Sequence, residues 1–225
     1  MSSASWISRT LAILAKDARA ELRTRYALNA VLLFALSSLV AVSMSLAGAR
    51  PGPDMLAAFL WILMVFAAMA GLPRSFVHEE ERQTSGWLKL SASPAMVYCG
   101  KFAFNLLLIL LVELVTVPIF LVLLNVTPVH PAAFCLAIGL GCLGLAAAGT
   151  LVAAIVARTQ NRGSLFAALA LPLLLPVIVT GTIATRESLS PGTGAVAWGE
   201  VRVLLSYAVV VFTGGLLLFE FVWND

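Results

Sequence analysis

The chain has 225 residues, of which 61% are hydrophobic and 11% charged, and its mean hydropathy is +1.00. A water-soluble domain carries about 25% charged and 45–50% apolar residues, so this composition excludes one. The net charge of +3 does not point to nucleic acid, because the basic residues flank long uncharged stretches, where they sit in polytopic membrane proteins.

The first 25 residues are not a span. Ile7, Leu11, Leu14, Ala18 and Leu22 recur at helical spacing, and Arg9, Lys16 and Arg23 fall on the opposite face. That pattern predicts a basic amphipathic helix lying in the membrane interface. The first span follows over about 26–48. Ala47 and Ala49 resemble a signal-peptidase site, but the 25 residues ahead of the span are long for a leader, so the span is expected to remain.

Arg50-Pro51-Gly52-Pro53-Asp54 makes a turn into a second span over about 55–72. The third is expected over about 102–124. Ser93 and Pro94 offer a cap and a first helical residue that start this helix earlier, in the interface. The fourth is expected over 132–157, the fifth over 164–184 and the sixth over 203–222. Each comes near or above the ~20 residues that cross ~30 Å of hydrocarbon. The short alternating strands of a β-barrel are absent. The predicted fold is therefore all-α, with residues 1–25 as an interfacial helix and 26–225 as one six-helix membrane domain.

Orientation follows from Lys and Arg. The N-terminal segment holds five, the connection between spans two and three holds four (Arg74, Arg82, Lys89, Lys101), and Arg158 and Arg162 lie between spans four and five. These eleven share one side, against Arg50, Arg186 and Arg202 on the other. The positive-inside rule puts the eleven, and both termini, in the cytoplasm.

Cys99, Cys135 and Cys142 form no CxxC pair and no disulfide framework. Cys135 and Cys142, seven apart, are expected to share a helix face as small packing residues. Gly139, Gly141, Gly144, Ala148 and Gly149 are expected to allow close helix approach. Pro172 and Pro176 each remove a hydrogen bond inside the fifth span and are expected to kink it. Glu113 sits mid-span, where a charge costs at least ~2.5–3.5 kcal/mol, so it should face the bundle; Asn105, two turns away, lies on a similar face.

The stretch from Arg74 to Lys101 is longer than a connector needs. It carries Glu79, Glu80, Glu81 and Arg82, then an amphipathic patch around Trp87, Leu88 and Leu90. Such a segment reads as a cytoplasmic docking and coupling loop. No GxxxxGK[ST] loop exists anywhere in the chain, so nucleotide hydrolysis would have to come from another polypeptide. There is no HExxH motif and neither histidine lies in a span, which argues against an intramembrane hydrolase.

The acidic cluster followed by Thr84, Gly86, Leu88, Leu90, Pro94, Tyr98, Gly100, Lys101 and Asn105 resembles the CcmB (heme exporter protein B) family. So do Glu113, Pro118 and Phe120, and a second block of Gly149-Thr150-Leu151, Arg158-Thr159, Arg162, Leu171-Pro172 and Pro176. The resemblance covers roughly residues 7–183. It implies an ABC-2-like permease subunit in the inner membrane of a bacterium, serving cytochrome c maturation. It also implies a CcmA-type ATPase and CcmC-type and CcmD-type membrane subunits as partners, with the heme chaperone CcmE served indirectly. Heme would be cargo and no firmly bound cofactor is expected. Of the two histidines, His130 is the one candidate heme ligand, lying between Pro128 and Pro131 on the outer side. The competing expectation is an ABC-2 type permease exporting a lipid or drug.

Overall fold

The computed structural model describes residues 3–46, 48–49, 51–72, 92–157, 162–191 and 194–224. The expected loop residues Glu79, Glu80, Glu81, Arg82, Trp87 and Leu88 lie outside these described residues. Among the described residues seven helices follow in order: α1 Ser3–Thr24, α2 Tyr26–Ser45, α3 Pro53–Gly71, α4 Pro94–Leu123, α5 Pro131–Val156, α6 Arg162–Leu189 and α7 Gly194–Asn224. The last six are long and apolar enough to cross a membrane; α1 is not among them. The described residues contain no strand, so the all-α, six-span reading stands.

Helix boundaries follow local chemistry. Pro53, Pro94 and Pro131 each stand in a first helical turn, where the missing N–H costs nothing. Ser93 occupies the N-cap position of α4 as expected, but its side chain makes no capping bond. Asn125 ends α4 in the left-handed region (φ 52°). The Val126 N–H donates to the Leu121 carbonyl at 2.9 Å and the Asn125 N–H to Val122 at 3.2 Å, a Schellman closure.

The corner between α1 and α2 is built differently. Arg25 is left-handed (φ 51°) without being glycine, which costs about 1–2 kcal/mol. The Glu21 carboxylate, on the last turn of α1, accepts the Leu28 N–H at 2.8 Å and so caps the start of α2. α1 is thereby turned sharply into α2.

α4 is 30 residues long, about 45 Å at the α-helical rise. That exceeds the hydrocarbon by about ten residues. The earlier start expected from Ser93 and Pro94 holds, so residues 94–101, also counted in the expected loop, are the first two turns of α4. Similarly, α6 continues to Leu189 and α7 begins at Gly194, both beyond the apolar stretches expected for them.

α5 lies at the centre, packed against α3, α4, α6 and α7. Two-thirds of its span is buried, against 17% for α2. Its small residues explain why. A Cβ on Gly141 or Gly149 would enter Trp61 or Leu72, and one on Gly144 would come 2.9 Å from Val177. Without a hydrophobic force between spans, this close approach is what holds them. Gly139 meets nothing and is not part of the seam. Cys135 and Cys142 do share a face of α5, but only Cys142 packs as expected: Cys142 is buried and Cys135 exposed. Seven residues on a straight helix drift by about 20°, and Cys135 lies at the less enclosed first turns of α5.

Candidate functional site

Polar groups enter this apolar bundle at three depths. The first is where α1 meets α4. Gly100 leaves room for Ile13, whose side chain a Cβ there would meet at 2.8 Å. One residue on, Lys101 Nζ lies 2.9 Å from Asp17 Oδ2, with side-chain exposures of 1% and 11%. Lys16 Nζ approaches the other Asp17 oxygen at 3.5 Å. Lys101, expected to be a loop cation, is thus a buried partner of the N-terminal helix. Residues 74–91 lead directly into the two turns of α4 that α1 holds.

The second depth is mid-bundle. Asn105 Nδ2 donates to Thr150 Oγ1 at 2.9 Å, and that hydroxyl donates to the Ala146 carbonyl at 2.6 Å. Asn105 and Thr150 are fully buried, joining α4 to α5. Eight residues along α4, Glu113 is also buried, as expected of a bundle-facing carboxyl. Neither of its oxygens has a hydrogen-bond partner among the described residues. It lines a crevice with Val31 of α2, Ala67 and Gly71 of α3, and Leu108 and Val112 of α4, with room for about one water. Asn105 and Glu113 share the buried side of α4 but not a partner.

The third depth is the end of the bundle opposite α1. Trp61 of α3 is fully buried, its indole filling the space left by Gly141 and Gly181, and Nε1 donates to Thr185 Oγ1 at 2.9 Å. Beside it Arg186 pairs with Glu187 and reaches Asp54 of α3 at 3.5 Å. The His130 backbone N–H donates to the Ser188 carbonyl at 2.9 Å. The His130 ring is half-buried, and its Nε2 has no partner among the described residues.

Pro172 and Pro176 lie on the exposed side of α6, which is helical on both sides of each. Next to Pro172, the Leu173 carbonyl accepts the Tyr207 hydroxyl of α7. Among the described residues no group of three or more His, Cys, Asp or Glu is placed to hold a metal ion. Sequence reading missed Asp17, Trp61 and Thr185 as partners. Asp17, an acid on a basic helix, was the one legible signal.

The family model described as CcmB protein matches residues 8–221. Over 138 residues the chain is 30% identical to a protein of Bradyrhizobium diazoefficiens named "Heme exporter protein B", covering 61% of this chain and 60% of that one. The aligned stretch thus spans under two-thirds of the relative's length, whereas the family match takes in α2 to α6 whole and nearly all of α1 and α7. A six-span bundle matched over that extent belongs to the CcmB family.

Proposed function

We propose that this chain is the non-catalytic permease subunit of a heme-trafficking ABC-type complex in the bacterial inner membrane, with both termini cytoplasmic. The observation that carries the reading is the family match over residues 8–221, together with a relative named for heme export. A CcmA-type ATPase supplies hydrolysis, since this sequence has no phosphate-binding loop. CcmC-type and CcmD-type subunits complete the membrane part, and the complex exports heme or releases heme-loaded CcmE.

The α1–α4 junction supports a coupling role for residues 74–91. A force applied to that segment enters α4 at Pro94, and the Asp17–Lys101 pair and the Gly100–Ile13 contact make α1 move with it. α4 then carries the displacement to Asn105 and, through Thr150, to α5. Rigid elements with paired contacts transmit displacement better than flexible ones. Deleting the gene from its host tests the reading. Heme-stained c-type cytochromes should disappear and return with the intact chain, and a deletion strain with a full cytochrome c complement refutes it.

A further inference from the structure

α1 presents three distinct faces, and the bundle accounts for one. At about 100° per residue, Thr10, Ile13 and Asp17 share a sector of roughly 60° turned to α4. Ile13 is buried, Gly100 lies against Ile13 and the Thr10 carbonyl, and Asp17 pairs with Lys101. These contacts fix the rotation of the helix about its axis, so the other two faces are fixed as well.

The next sector holds Ile7, Leu11 and Leu22, which are 54%, 55% and 63% exposed. Trp6 near the N-terminus is also exposed. On the remaining flank, bordering the α4-facing sector at Arg9 on one edge and facing away from α4 at Arg19 on the other, lie Arg9, Lys16, Arg19 and Arg23, all exposed.

The two carboxylates of α1 are both turned inward. Asp17 is held by Lys101 and approached by Lys16, and Glu21 accepts the Leu28 N–H. Neither carboxylate of α1 therefore stands among the four basic residues of that flank. The apolar stretch of α2 begins at Leu28, three residues past the corner at Arg25, so α1 ends next to the start of a membrane-length apolar helix.

We propose that this flank of α1 binds the phosphate-bearing headgroups of anionic phospholipids, while Ile7, Leu11 and Leu22 enter the acyl boundary beneath them. The inference rests on α1 lying at the cytoplasmic membrane surface and adds the lipid class it selects. An apolar strip bordered by a basic one is the pattern of helices that combine acyl burial with attraction to anionic lipid. Cationic side chains close to such a surface each add to that attraction, which falls with salt. Fixing α1 to α4 makes the span that follows residues 74–91 sensitive to the lipid around it.

Two measurements on the full chain in nanodiscs test this. A spin label at Leu11→Cys, with Cys99, Cys135 and Cys142 replaced by alanine, reports depth. Oxygen accessibility typical of the acyl boundary is expected, and an aqueous depth overturns the surface placement itself. Separately, the phosphatidylglycerol and phosphatidylcholine retained by the purified chain are counted by native mass spectrometry. The wild type should enrich phosphatidylglycerol several-fold at low salt. Arg9→Gln, Lys16→Gln, Arg19→Gln and Arg23→Gln combined should remove most of that enrichment. A correct Leu11 depth with enrichment unchanged in the fourfold variant leaves the helix at the surface and overturns the lipid selectivity.

Discussion

Lys101 is buried against Asp17, 2.9 Å away on a helix more than eighty residues earlier in the chain. The pair ties the N-terminal helix to the second turn of α4. Without Asp17, a lysine 1% exposed would have lost its charge partner. Removing either side of a buried pair leaves the other charge uncompensated, which costs more than the pair itself contributes.

Asp17→Asn, which strips the carboxylate from a lysine 1% exposed, is therefore expected to destabilise the detergent-purified chain by up to about 3 kcal/mol, and Lys101→Met by less, because Lys16 still lies 3.5 Å from Asp17. The double variant Asp17→Asn with Lys101→Met should cost much less, because no buried charge is left over. A thermal-unfolding double-mutant cycle checks this, and additive losses would show that the two residues act independently.

The Asn105–Thr150 bond joins α4 to α5 in apolar surroundings. Such interhelical bonds average about 0.6 kcal/mol and reach about 1.7 kcal/mol. Thr150→Val should cost an amount in that range, and Thr150→Ser should cost less because the hydroxyl remains. Asn105→Leu added to Thr150→Val should cost little beyond Asn105→Leu alone. Equal losses for Thr150→Ser and Thr150→Val would assign the effect to packing.

Trp61 needs two glycines. Gly181→Ala places a methyl group in the indole, so a loss of about 1–3 kcal/mol is expected. Gly139→Ala meets nothing within 4 Å and should be neutral. Melting temperature separates the two, with Trp61 fluorescence read in a background where the other four tryptophans are phenylalanine.

Glu113 faces a small apolar crevice with no partner for its oxygens among the described residues. Glu113→Gln keeps the shape without an ionisable group and should assemble normally. Glu113→Lys adds a longer cation to the crevice and should fail to insert or assemble. Normal yield and monodispersity of the lysine variant would contradict a bundle-facing side chain.

The six spans were legible because hydrocarbon thickness fixes their length and composition. Glu113 was legible as buried because a mid-span charge has little choice. Asp17 and Lys101 were not legible as a pair: in sequence, Asp17 is one acid on a basic helix and Lys101 one cation in a polar stretch. Their meeting depends on α1 folding back past the corner at Arg25, a tertiary event with no periodicity. Trp61 read as one apolar residue among many, because its hydrogen bond to Thr185 joins helices 124 positions apart. Cys135 shows the converse error: heptad spacing correctly put it on the face of Cys142, but enclosure at the first turns of α5 does not bury it as a packing residue.

That a separate ATPase drives this bundle through residues 74–91 is tested most directly by reconstituting the complex with Glu79, Glu80 and Glu81 all changed to lysine. The wild-type chain should retain the ATPase and stimulate its hydrolysis, while the variant, folded and monodisperse, should lose retention and stimulation by about tenfold or more. Retention and stimulation equal to wild type would contradict the coupling role of that segment.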